Sequence, residues 1–155
     1  YLPDNNYLSN WMTVEQMITF YGDFYSDFKK EKAYAMLESL GLDTKQKFKT
    51  MSKGMKEKVQ LVLVMSREAD LYCLDEPIAG VDPAARDFIL RTIITNYAEG
   101  ATVLISTHLI ADVEKVLDDV IFIKNGEVIR HDTVEDIREK YDKSVDALFR
   151  EEFRC

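Results

Sequence analysis

At 155 residues the chain is long enough for one compact domain, or a domain with a small lobe. Apolar residues make up 46% and charged residues 31%, the balance of a globular protein with a real core. A net charge of −8 argues against general nucleic-acid binding, where a basic surface supplies most of the affinity. Two cysteines, Cys73 in an apolar run and Cys155 at the end, form no disulfide framework and fit a reducing compartment. The longest apolar run, Leu61 to Met65, is far too short for a membrane span, and no signal-peptide pattern is present. A start at Tyr1 without methionine suggests a piece of a longer protein.

In chain order, Tyr1 to Asn10 reads as a loop, punctuated by Pro3, Asp4, Asn5, Asn6 and Asn10. Thr13, with Gln16 three residues on, is a capping box that predicts a helix over about residues 14–27. A second helix near 29–40 ends at Gly41. Between Lys45 and Lys58 six lysines face one acid, Glu57; such a run is either a solvated face or the surroundings of anionic ligand groups. Ser52 is a plausible cap for a helix to about residue 67, with Val59, Val62, Leu63 and Ser66 in helical period.

Leu71 to Leu74, closed by Asp75, Glu76 and Pro77, has the pattern of a buried parallel strand. Asp82-Pro83 starts the next helix, a cap followed by proline at the first helical position, and that helix stops near Gly100. Thr102 to Ser106 predicts a second buried strand, followed by a helix near 109–118. Val120 to Lys124 and Glu127 to Arg130 flank Asn125-Gly126, the favoured hairpin turn. Surface helices follow from Asp132. A helical first third and then strand, helix, strand, helix, hairpin predict an α/β fold, with helices covering a parallel sheet.

Four short segments carry chemistry. Asp75 and Glu76 end an apolar strand, and ligands of open α/β sheets bind beyond the carboxyl ends of the strands. There Asp75 suits Mg²⁺ held through water, and Glu76 suits polarising a water that attacks a γ-phosphate. The same pair could simply end a strand in two solvated acids. In Met51-Ser52-Lys53-Gly54, a helix N-terminus offers N–H groups to phosphate, Ser52 adds a hydroxyl, and Gly54 removes an obstructing side chain. A plain capped helix would look alike. Ala79-Gly80-Val81-Asp82 is a tight connection in which Asp82 also serves as a cap. His108 lies 32 residues after Glu76, one strand–helix–strand unit on, where an imidazole could hydrogen-bond a γ-phosphate oxygen or be incidental.

In this order and spacing, the segments resemble the signature, Walker B, D-loop and H-switch of the ATP-binding cassette (ABC) ATPases. The signature reads Met51-Ser52-Lys53-Gly54-Met55, the Walker B strand Leu71 to Glu76, the D-loop Ala79 to Asp82, and the switch histidine is His108. Tyr1-Leu2-Pro3 resembles the approach to the Q-loop, with Asp4 where glutamine usually stands. The Lys124-Asn125-Gly126-Glu127 hairpin matches a late hairpin of the family. Two departures are Lys53, in place of a signature glycine, and Asp4. A third is larger: G-x-x-x-x-G-K-[ST] is not present, since none of the six glycines precedes lysine.

The resemblance implies a partial P-loop NTPase (RecA-like) parallel sheet with a helical signature subdomain. It would divide as residues 1–68, Q-loop region and signature lobe, and 69–155, the C-terminal half of the ATPase core. It implies ATP and Mg²⁺ as cofactors, Glu76 and His108 as catalytic residues, Ser52, Lys53, Gly54 and Asp82 as nucleotide contacts, and Asp75 with Asp4 toward the metal. It further implies a second ATP-binding subunit, identical or different, a transmembrane permease, no nucleic-acid partner, and a place on the cytoplasmic face of the membrane. Without the phosphate loop the chain alone is expected to be inactive. The alternatives are half of a chromosome-maintenance or DNA-repair ATPase and a non-catalytic regulatory cassette. Against the first stand the acidic balance and the lack of heptads in residues 11–50.

Overall fold

A computed structural model describes residues 1–153, the side chain of Ala84 excepted. The backbone forms two compact units, Tyr1–Thr107 and a second from His108 onward. The residues of the helical lobe therefore share one compact body with the first two strands.

In the first unit α1 (Val14–Phe24) opens on the capping box: Gln16 N–H donates to Thr13 Oγ1 at 3.2 Å, and Thr13 N–H donates to Gln16 Oε1 at 2.9 Å. It stops three residues short of the expected 27, because tertiary contacts claim the next segment. Tyr25 turns extended, Arg67 donates two hydrogen bonds of 2.9 Å to Asp27, and buried Phe28 bridges to Arg67. Helix α2 (Lys30–Ser39) is followed by Gly41 at φ +64, the left-handed turn that favours glycine. Helix α3 (Lys53–Met65) is buried on all sides from Val59 to Met65, the mark of a core helix. It packs against α1, α2 and α4 (Pro83–Asn96).

Strands β1 (Leu71–Asp75) and β2 (Thr102–Ser106) pair in parallel, from Leu71 opposite Thr102 to Asp75 opposite Ser106. On the far side of β1, Leu2 makes a parallel bridge to Leu74: its N–H donates to Cys73 O at 2.8 Å, and its carbonyl accepts from Asp75 N–H at 2.9 Å. Tyr72 is only 1% exposed, with its hydroxyl fully used. It donates to Arg67 O at 2.6 Å and accepts from Ala69 N–H at 3.3 Å and Ala98 N–H at 3.2 Å. The burial expected for β2 is not found. Thr102, Leu104 and Ser106 are exposed and alternate with half-buried Val103 and Ile105, so they share one open face of the strand pair with exposed Leu71. No strand among the described residues pairs with the other edge of β2.

In the second unit the helix expected over 109–118 is short. Helix α5 (Ile110–Val113) passes into a 3₁₀ turn at Glu114–Val116, and Leu117 is already extended as it packs on the unit's core. Strands β3 (Asp119–Lys124) and β4 (Glu127–Thr133) form the predicted hairpin, with Asn125 at φ +52 and Gly126 at φ +83, both left-handed as such a turn demands. Helices α6 (Val134–Tyr141) and α7 (Val145–Glu152) follow. Ile110, Val120, Phe122, Val134, Ile137, Val145 and Leu148 make the core. No helix among the described residues is long and apolar enough to cross a membrane.

Candidate functional site

Parallel pairing decides where the acids go. Because β1 and β2 run the same way in register, the residues after Asp75 and after Ser106 leave at one edge, the carboxyl end where ligands of such sheets bind. Leu2 runs parallel to Leu74, so exposed Asp4 follows at that edge as well.

Glu76 sits there with φ +48, in the left-handed region. For a residue other than glycine this costs on the order of 1–3 kcal/mol, and such strain collects at functional sites. Its N–H donates to Ser106 O at 2.9 Å and to Ser106 Oγ at 3.3 Å. Ser106 Oγ donates to Asp75 Oδ1 at 2.5 Å, and the Tyr1 hydroxyl donates to Asp75 Oδ2 at 3.4 Å. Desolvation and the Asp75 carboxylate hold the Tyr1 phenol above its ordinary range. Asp75 and Glu76 are half-buried. In the sequence Ser106 is marked only as a neighbour of His108; its partnership with Asp75 follows from the register, which the sequence does not display.

At the start of α3, Ser52 Oγ accepts Met55 N–H at 3.3 Å and so caps the helix. Lys53 is exposed, with Nζ 3.7 Å from Glu57 Oε1. Burial raises the Glu57 carboxyl above its ordinary range; the Lys53 ammonium opposes this and the Asp4 charge adds to it. Gly54 is exposed, and a Cβ there would meet nothing within 4 Å, so packing inside the chain does not call for glycine. A Cβ on Gly80, at φ +71, would lie 3.5 Å from Lys53 Nζ. The helix start and the Ala79–Asp82 connection are thus neighbours. Asp82 caps α4, its Oδ1 accepting Ala85 N–H at 3.1 Å ahead of Pro83. His108 is exposed and opens the second unit. His131, given no role from sequence, lies 3.5 Å from Asp119.

Among the described residues no three His, Cys, Asp or Glu side chains gather into a metal cage. Mg²⁺ does not need one, since one or two carboxylates with water and phosphate suffice. The residues present fit that mode: Asp75 has one carboxylate oxygen engaged by a short hydrogen bond and the other by a long one. They also fit part of a nucleotide site, through the N–H groups and open Gly54 at the start of a 13-residue helix.

Comparison with known proteins bears on the family and the fold. Residues 12–111 match the family model described as "AAA domain, putative AbiEii toxin, Type IV TA system". A solved structure of the ATP-binding subunit of an ABC transporter superposes with a TM-score of 0.87 at 30% identity, over 99% of this chain and 68% of that one. The chain belongs to the ABC transporter ATP-binding proteins. Its fold is that family's P-loop NTPase fold. Among the curated ABC relatives, the ABC-type transporter ATP-binding protein EcsA of Bacillus subtilis is 39% identical over 103 residues, 64% of this chain and 42% of EcsA. The uncharacterized ABC transporter ATP-binding protein YxlF of Bacillus subtilis is 30% identical over 153 residues, 96% of this chain and 52% of YxlF. The chain spans about half the length of the curated cassettes it matches.

Proposed function

We propose that the chain is the C-terminal portion of a cassette that hydrolyses ATP at a head-to-tail interface with a second ATP-binding subunit, identical or different. Through a transmembrane permease, that hydrolysis drives transport at the cytoplasmic face of the membrane. One observation carries the reading. Two acids stand where a parallel in-register strand ends, and the second is held in a left-handed backbone, a strain that collects at functional sites. Asp75 would hold Mg²⁺ through water, with Asp4 as a further carboxylate at the same edge. The metal supplies charge neutralisation on the phosphate oxygens. Glu76 orients the attacking water and accepts its proton as ADP departs. His108, by its place in the family's motif order, donates to a γ-phosphate oxygen. Ser52, Lys53 and Gly54 face the nucleotide held by the opposite subunit, with Asp82 in the adjoining connection.

The helices before the signature are 11 and 10 residues long, which favours a transporter lobe over the coiled-coil arm of a chromosome-maintenance ATPase. Retention of Glu76 and His108 favours a working site over a regulatory one. Glu76→Gln in the full-length cassette is expected to lower ATP turnover by about 10²–10⁴-fold while ATP still binds. Turnover at the unsubstituted rate would remove Glu76 from the chemistry. The present chain alone is expected to give no calorimetric ATP isotherm at millimolar affinity or tighter, for want of a phosphate loop; a clear isotherm would contradict this.

A further inference from the structure

One hydroxyl group touches both acids. Ser106 Oγ donates its hydrogen to Asp75 Oδ1 at 2.5 Å and accepts Glu76 N–H at 3.3 Å. The same N–H donates to the Ser106 carbonyl at 2.9 Å, so Glu76 is tied to this residue twice. The other donor to Asp75, Tyr1, is at a longer 3.4 Å. Among side chains of this size, only serine and threonine can donate to one acid and accept from the next with a strong oxygen. Packing does not explain a hydroxyl here, because Ser106 is exposed and outside the buried core.

We propose that Ser106 is a positioning residue for the acid pair. Its hydroxyl fixes the rotation of the Asp75 carboxylate and anchors the left-handed backbone that aims Glu76. The inference rests on the nucleotide role proposed for the pair. Groups that hold a metal-binding carboxylate in place commonly matter by about 10–100-fold in metal affinity or activity.

The test uses the full-length cassette with a non-hydrolysable ATP analogue and Mn²⁺ as a paramagnetic stand-in for Mg²⁺, titrated by electron paramagnetic resonance. Ser106→Thr and Ser106→Val are close in shape and both suit a strand, so the difference between them isolates the hydroxyl. Ser106→Thr is expected to bind Mn²⁺ as the unsubstituted protein does. Ser106→Val and Ser106→Ala should bind about tenfold more weakly or worse, with kcat lowered and KM for ATP little changed. Equal Mn²⁺ affinity in all four proteins overturns the proposal, and so does an equal loss in the threonine and valine variants. Glu76→Gln in the same assay separates the two readings. If that variant still turns over ATP, the role given to the acid pair is wrong; if it is inactive while Ser106→Val binds Mn²⁺ normally, only the inference about Ser106 fails.

Discussion

A glycine in the first turn of a helix gives up stability, so Gly54 needs a reason. None lies inside the chain, because a Cβ would meet no atom within 4 Å. Gly54→Ala is therefore expected to stabilise this chain by up to about 1 kcal/mol in thermal unfolding. In the full-length cassette the same methyl group should lower ATP turnover, since it would stand where a partner-held phosphate approaches. Unchanged turnover would leave Gly54 without a nucleotide role. Glu76 presents the opposite case, a side chain kept at φ +48 where glycine would be easier. The two positions together suggest a surface shaped by something other than its own packing. Asp75, Glu76, Ser52 and Gly54 were legible because each announces itself in the sequence, by a strand end or a helix cap. Ser106 was not, because its meaning depends on facing Asp75 across a pair of strands.

The elements built from local chemistry match expectation. The Thr13–Gln16 box starts α1, Pro83 follows its cap into α4, and Asn125-Gly126 turns the hairpin. Where tertiary contact competes, the local pattern loses. Arg67 and Phe28 take over the segment that the expected helix over 14–27 would have given to α1, and Leu117 ends α5 early to join an apolar cluster. Tyr72 shows how such contacts hold the strands. Its buried hydroxyl links the approach to β1 with the turn before β2. Tyr72→Phe keeps the ring and leaves two N–H groups without that acceptor. It should cost about 1–3 kcal/mol in urea unfolding of the chain. A change below a few tenths of a kcal/mol would show that water replaces the hydroxyl freely.

On the scale of the molecule, the strands form two separate pairs, β1 with β2 and β3 with β4. Among the described residues the outer edges of β2 and β3 have no strand partner, and Leu104 and Ile123 are 51% and 61% exposed. Unpaired edges with apolar side chains template further pairing. The chain by itself should self-associate with rising concentration in multi-angle light scattering; a strictly monomeric particle throughout would contradict that. The central claim, that Glu76 drives hydrolysis in a cassette that otherwise holds its nucleotide, is tested most directly by chromatography of what stays bound. After full-length protein is incubated with ATP and Mg²⁺ and freed of excess nucleotide, Glu76→Gln should retain ATP where the unsubstituted protein retains ADP. Recovery of ADP in equal proportion from both would contradict the account.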